Sequence, residues 1–357
     1  MLRETALKKI RERFQKHSLD AVIVSNLDNV RYLSGFTGSE GAILISQNGN
    51  YFLTGTRYTT QASEQADGFI IREYDNREEE IGKLVLKLNI KNLGFEPQYV
   101  TFEVYNKLLE RLQDTKLIPI AEGLDSLRDK KESSELKLIK DAVRIASESY
   151  LDVAGRIRVG IEEREVALEI EYLMRKKGAE KVSFDTIVAS GRRSALPHGI
   201  ATSKRIEKGG FIVIDFGARY HGYYSDETQT LVVGRPTTKQ KKIYQIVKEA
   251  QEKAFEAIKP GVSVIKVDSA ARDYIGKAGF GKYFGHGTGH GVGLAVHEMP
   301  YISPLGKGLI EEGMVFTIEP GIYIPKWGGV RIEDMVRVTS RGYERLTFLP
   351  KELQVID

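Results

Sequence analysis

Cysteine is absent from the 357 residues. That absence removes disulfides, thiolate zinc sites and cysteine nucleophiles together, and it suits a cytoplasmic protein better than a small secreted one. Long apolar runs are missing as well: no stretch approaches the ~18 residues of a membrane span. The opening Met1-Leu-Arg-Glu-Thr-Ala-Leu-Lys-Lys-Ile10 is amphipathic and carries acid, unlike a signal peptide. A strong charge of one sign is lacking too. Lys and Arg number 53 against 49 Asp and Glu, a net +4 with no dense basic run, so neither a nucleic acid nor a membrane surface is an expected partner. What remains is an ordinary globular composition, 41% hydrophobic and 29% charged, in a chain long enough for two domains.

What is present concentrates between Phe284 and Pro300, where five glycines (285, 287, 289, 291 and 293) and three of the six histidines fall within seventeen positions. The glycines allow positive φ and close approach of a ligand, while His286, His290 and His297 offer imidazoles to a metal or a substrate. Phosphate cradling is the competing use of such a loop. No glycine here has Gly-x-Gly-x-x-Gly spacing and no Gly-Lys-Ser/Thr follows, so neither nucleotide fingerprint fits.

Along the chain, Leu7, Ile10 and Phe14 recur at helical spacing and Ala21–Val24 reads as a strand. Further strands are predicted at 42–45, 51–53, 69–71 and 93–95, with helices at 56–66, 78–88 and 101–112, an alternation that gives a mixed sheet covered by helices. This half has no ligand cluster, and its one histidine, His17, is expected in solvent at a helix end. Composition shifts over 123–134, where the chain loses its apolar pattern and ends in serines suited to capping a helix at 135–156. A domain boundary belongs there. A second helix is expected at 162–177, then strands at 184–189, 211–216, 223–233, 314–318 and 330–339, interrupted by helices at 239–258 and 264–277.

Carboxylates close these strands. Asp215 ends the apolar run Phe211-Ile-Val-Ile-Asp215, and a turn at 217–222 brings the chain back so that Asp226 faces it across a hairpin. Strand alternation puts Asp226, Thr228 and Thr230 on one face, where threonine can hydrogen-bond a carboxylate. Glu319 closes Val315-Phe-Thr-Ile-Glu-Pro-Gly321, and Glu333 sits within Val330-Arg-Ile-Glu-Asp-Met-Val-Arg-Val338. An ion pair of Glu333 with Arg331 or Arg337 would account for one carboxylate only. Four carboxylates and a histidine form an oxygen-rich set suited to two divalent ions, Mn2+ or Co2+, with Zn2+ chemically admissible. Two such ions ~3.5–4 Å apart would lower the pKa of a shared water and clamp a carbonyl oxygen, which is hydrolase chemistry. There is no Gly-x-Ser-x-Gly elbow to support a serine nucleophile.

In their order and contexts, Asp215, Asp226, His290, Glu319 and Glu333 resemble the metal pattern of the pita-bread metallopeptidases, which include methionine aminopeptidase, aminopeptidase P and prolidase, with creatinase as a metal-free relative. Asn29-Val-Arg-Tyr-Leu-Ser-Gly-Phe-Thr-Gly38 looks like the front-domain signature of the aminopeptidase P and prolidase branch, and Phe184-Asp-Thr-Ile-Val-Ala-Ser-Gly191 with Pro197-His-Gly199 like its catalytic domain. The resemblance implies an α/β (α+β) chain, with a creatinase-like N-terminal α/β domain over 1–125 and a pita-bread catalytic domain over 126–357. It implies a homodimer through the front domain. It also implies that Asp215 chelates one ion, that Asp226 and Glu333 bridge both, and that His290 and Glu319 complete the other. Glu319 would double as proton shuttle, His198 and His297 would hold the substrate and its carbonyl oxygen, His286 would stand at the pocket wall, and Tyr323 and Arg331 would support the ligands.

The expected substrates are peptides with proline in second position. Prolidases similar to this chain carry an arginine four residues after the histidine that matches His297, as an anchor for the dipeptide carboxylate. Here that position is Tyr301, and a phenol offers one neutral hydrogen bond where a guanidinium fork offers two charge-assisted ones. On this ground an Xaa-Pro aminopeptidase ranks first, an Xaa-Pro dipeptidase second, and a non-catalytic binding protein on the same fold last.

Overall fold

A computed structural model of the chain describes residues 2–112, 114–120 and 123–356, which form two compact units, Met1–Arg128 and Asp129–Asp357. In the first unit α1 (Leu2–His17) buries Leu7, Ile10 and Phe14, the face that their spacing predicts. The chain continues through β1 (Ala21–Val24), α2 (Leu27–Ser34), β2 (Ala42–Ser46), β3 (Asn50–Gly55), α3 (Thr59–Gln65), β4 (Ile70–Tyr74), α4 (Arg77–Lys87), β5 (Asn92–Phe95), α5 (Phe102–Arg111) and β6 (Lys116–Pro119). The strands form one mixed sheet in the order β4-β3-β2-β1-β5-β6, with β1 antiparallel to β2 and parallel to β5. Most of the Asn29 to Gly38 stretch is helical: Asn26 caps α2 by accepting from the Asp28 N–H, and Gly35 ends it at φ 80°. The helix predicted from Thr56 opens instead with a 3-10 turn over Thr56–Tyr58. His17 is also a correction, because its Nε2 is buried without a hydrogen-bond partner among the described residues.

The second unit opens with α6 (Ser133–Ala154). Here the serines do not cap: Glu132 accepts from the Glu135 backbone and Glu135 reaches back to Glu132, which places the start two residues early. Next come α7 (Glu163–Lys176), β7 (Lys181–Val182), β8 (Ile187–Ser190), β9 (Phe211–Phe216), β10 (Ala218–Tyr220), β11 (Tyr223–Tyr224), β12 (Glu227–Val233), α8 (Thr238–Ala257) and α9 (Val264–Lys277). The rest is strand: β13 (Gly289–Gly291), β14 (Glu298–Ile302), β15 (Val315–Ile318), β16 (Gly321–Ile324), β17 (Gly328–Arg331), β18 (Asp334–Thr339), β19 (Gly342–Arg345) and β20 (Gln354–Ile356). Two predicted strands are broken. The run 223–233 is interrupted at Ser225 and Asp226, and the run 330–339 at Ile332 and Glu333, so each break falls beside a candidate ligand.

Alternation along β9 explains how apolar strands can carry a carboxylate. Ile212, Ile214 and Phe216 pack with α6 and α7, where Tyr150 stacks on Phe216 at 5.0 Å, while Phe211 on the other face joins the core beneath α8 and α9. Asp215 shares the parity of Phe211. Its register partner on β12 is Thr228, just as Val213 pairs with Thr230 and Phe211 with Val232. Each such aliphatic side chain contributes ~1.5–3 kcal/mol by burial, so the register of β9 against β12, and with it the direction of Asp215, is firmly held.

A buried acid fixes the segment that carries His198. Glu163, fully buried at the start of α7, accepts from the N–H and hydroxyl of Ser190 (2.8 Å each) and of Thr202 (3.2 and 2.8 Å), and pairs with Arg193. Glu163→Ala would strand these donors and the guanidinium. We expect a loss of ~3 kcal/mol, which in a unit of this size lowers Tm by ~6–12 °C. A variant melting within about 2 °C of the parent in a thermal scan would show that this acid does not hold the segment.

Candidate metal centre

The five candidate ligands converge from separate elements. Asp215 lies near the end of β9 and His290 in the middle of β13, whereas Asp226 immediately precedes β12, Glu319 follows β15 and Glu333 precedes β18. Register brings them together. Ile318 pairs with Asp334, so Glu319 and Glu333 emerge from the same end of the β15–β18 pair, and the Glu333 N–H donates to Thr228 O at 3.3 Å. His290 Nε2 lies 3.6 Å from Asp226 Oδ2 and 3.4 Å from Glu319 Oε1. One donor atom each from Asp226, His290 and Glu333 falls within 4.8 Å of the others.

The glycines around His290 serve for space rather than for positive φ, which none of those at 285, 287, 289, 291 and 293 adopts. A Cβ on Gly289 would stand 1.9 Å from Thr317 O, and one on Gly291 would stand 2.1 Å from Met299 O. Only bare backbone lets β13 lie this close to β14 and β15.

The electrostatics are unbalanced in the way a cation site requires. Burial above all, then the neighbouring carboxylates, raise Asp226 and Glu333 well above the ordinary range; Glu319 is raised by burial against the pull of His286 and Arg331. Arg331 answers one carboxylate, donating from Nη2 to Asp215 Oδ2 at 2.7 Å. The other oxygen, Asp215 Oδ1, is buried without a hydrogen-bond partner among the described residues. Burial holds His290 below its usual range, so the imidazole is neutral near pH 7; its Nδ1 lies 3.1 Å from Gly291 O, a contact that makes Nδ1 the donor and leaves the Nε2 lone pair for an ion. An orphaned carboxylate oxygen, three repelling acids and a neutral imidazole fit divalent metal.

The supporting residues separate into distinct tasks. Thr228 donates to Glu333 at 2.6 Å rather than to Asp226, and Arg331 Nε donates to Thr228 at 2.9 Å. The suspected ion pair of Glu333 with Arg331 or Arg337 is therefore replaced by a threonine bond, and Arg331 turns to Asp215. Arg331 Nη1 also donates to Pro197 O at 3.0 Å and to the Tyr323 hydroxyl at 2.9 Å. His286 has both ring nitrogens engaged, Nδ1 with Gly287 O at 2.7 Å and Nε2 with the Tyr323 hydroxyl at 2.9 Å, so it offers no lone pair to a metal. His198, His297 and Tyr301 line the same cleft of about 560 Å³ as the five ligands, and the His297 ring stands edge-on to His290 at 4.2 Å. Thr317 escaped the sequence reading. Its hydroxyl accepts from the His290 N–H at 3.1 Å and donates to Glu319 at 3.2 Å, and the two-residue offset from Glu319 is the signal that singled out Thr228. The apolar wall of Phe184, Ile187 and Ile200 was also missed as a wall, because nothing local distinguishes it from core.

The profile of metallopeptidase family M24 matches residues 137–340, and that of the creatinase/prolidase N-terminal domain matches residues 7–130. The chain belongs to family M24. Its fold is a creatinase-type N-terminal domain followed by an M24 pita-bread domain, in the aminopeptidase P and prolidase branch. The Xaa-Pro dipeptidase of Pyrococcus horikoshii is 42% identical to this M24 chain over 347 residues, 97% of this chain and 98% of that one. Among solved structures, the Xaa-Pro dipeptidase from Bacillus anthracis matches with a TM-score of 0.96 at 44% identity, covering 99% of this chain and 100% of that one. The X-Pro aminopeptidase from Thermotoga maritima matches at 0.91 and 41%, covering 98% and 99%. This M24 chain is a metallopeptidase, of a family whose enzymes use divalent metals.

Raised carboxylate pKa values give the ion-dependence of stability a sign. Without ions the fold retains protons that the unfolded chain releases near pH ~4, so the ion-free protein loses stability as pH climbs above the ordinary carboxylate range. Divalent ions displace those protons, and their stabilising effect grows with pH. We expect saturating Mn2+ to raise the Tm of chelator-stripped protein more at about pH 7.5 than at about pH 5.5; an equal or larger rise at the lower pH would contradict the assignment of these acids to the ions.

Proposed function

We propose that this M24 chain is an Xaa-Pro dipeptidase using two divalent ions, Mn2+ or Co2+. The observation that carries the choice is full-length likeness, at 42% and 44% identity, to proteins named Xaa-Pro dipeptidase. It reverses the order reached from Tyr301. That residue, 46% exposed, is one of several at the cleft wall and accounts for one missing guanidinium only. The aminopeptidase stays as second reading on Tyr301 and on the Thermotoga maritima relative. A homodimer and a cytoplasmic setting belong to the same proposal.

Asp215, Asp226, His290, Glu319 and Glu333 would hold the ions, Asp226 and Glu333 serving both, and the bound ions would supply an activated water and a polarised carbonyl at neutral pH. Glu319 takes the proton of the attacking water and passes it to the proline nitrogen, which carries no hydrogen in the peptide and leaves as an amine once protonated. The buried part of its ring and then His290 hold His297 below the usual range, so it is neutral near pH 7 and donates an N–H to the carbonyl oxygen as charge gathers there. His198 holds the substrate from the same cleft.

His297→Ala is expected to keep both ions by elemental analysis and to lower kcat ~10²-fold; loss of the ions, or the parent rate, would refute its role. For the substrate, we expect kcat/KM on an Xaa-Pro dipeptide to exceed that on the matching Xaa-Pro-Yaa tripeptide by ~10²-fold or more, since a site selective for dipeptides gains transition-state binding from the free proline carboxylate that a longer chain lacks. Equal or faster cleavage of the tripeptide would establish the aminopeptidase instead.

A further inference from the structure

Behind the ligands lies a buried ammonium that the reaction above does not use. Lys351, between β19 and β20, has a side chain only 6% exposed. Its Nζ donates to Glu333 O at 3.0 Å and to Glu227 Oε1 at 3.2 Å, and stands 2.9 Å from Asp334 Oδ1. Each partner is tied to a candidate ligand: Glu333 is one, Glu227 follows Asp226, and Asp334 follows Glu333. Successive side chains point to opposite sides of extended chain, so Asp226 and Glu333 reach the cleft while Glu227 and Asp334 turn away from it, and neither of the latter lines it. Both rear acids are otherwise held. Ser147 and Gln229 donate to Glu227 at 2.8 and 3.1 Å, and Thr347 and Gln251 donate to Asp334, the latter at 3.1 Å.

We propose that Lys351 is a positioning residue for the metal centre, tying the backbone that carries Asp226 to the backbone that carries Glu333. The proposal rests on the two-ion reading of the cleft. Glu227 and Asp334, each one residue on from Asp226 and Glu333, reach the same ammonium, and without it their mutual repulsion would part β12 from β18. One ammonium held between Glu227 and Asp334 opposes that force from the rear and fixes the spacing at which Asp226 and Glu333 can serve the same ions. The bond to Glu333 O adds direction, because it sets the peptide plane from which the Glu333 side chain departs.

A salt bridge that only stabilises the fold would affect Tm and leave ion binding alone, which is what the test separates. Chelator-stripped parent and Lys351→Met protein are titrated with Mn2+ by calorimetry at a temperature well below either Tm, and kinetics on an Xaa-Pro dipeptide follow at saturating Mn2+. We expect Kd for at least one ion to weaken ~10-fold, with kcat reduced and KM within about twofold of the parent. Should Lys351→Met fail to fold, Glu227→Gln decides, since it keeps the shape and removes one of the two anions; the expected weakening is about 3-fold. Parent-like Kd and kcat in the folded variant, whatever its Tm, would overturn the assignment of Lys351. A parent that binds no divalent ion would overturn the two-ion reading and this proposal with it.

Discussion

Mutual repulsion among Asp215, Asp226, Glu319 and Glu333 is the constraint that the catalytic unit is organised to bear. Arg331 answers one of the four, through Asp215, and burial pushes Asp226, Glu319 and Glu333 above the ordinary carboxylate range. Acids in that condition lower the stability of a fold unless cations join them. The unit therefore holds them by strand register and by threonine hydroxyls from Thr228 and Thr317.

The same constraint accounts for the irregularities of the sheets. A candidate ligand within a strand must point where alternation sends it, as Asp215 and His290 do. Asp226, Glu319 and Glu333 stand just outside strand ends, where the chain can turn a carboxylate inward. Backbone proximity around His290 then demands residues without Cβ, since Thr317 O and Met299 O occupy the space a side chain would need. Strand interruption and glycine content are thus consequences of one arrangement of acids and histidine.

Likeness to relatives and the identity of one pocket residue favour different substrates. Tyr301 is a local fact about one wall position, whereas recognition of a carboxylate is a property of the whole cleft surface. Likeness over the full length to proteins named Xaa-Pro dipeptidase therefore weighs more than Tyr301 alone in the choice between dipeptide and longer peptide.

The candidate ligands stood out in the sequence by local features: Asp215 and Glu319 close apolar runs, Asp226 faces Asp215 across a predicted hairpin, Glu333 sits within an apolar strand pattern, and His290 stands among glycines. Periodicity likewise located most helices and strands, as with Leu7, Ile10 and Phe14 on α1. Local chemistry of this kind is carried by residues two to four apart, and it survives in one dimension. Tertiary structure decided what depends on pairing between distant segments: that Thr228 serves Glu333, 105 positions away, and not Asp226 two positions off; that His286 is occupied by Tyr323; and that Lys351 stands behind the ligands. The physical reason is that a side chain's partners are set by the register of the strands on either side of it, and register follows from the packing of the whole unit rather than from any single segment.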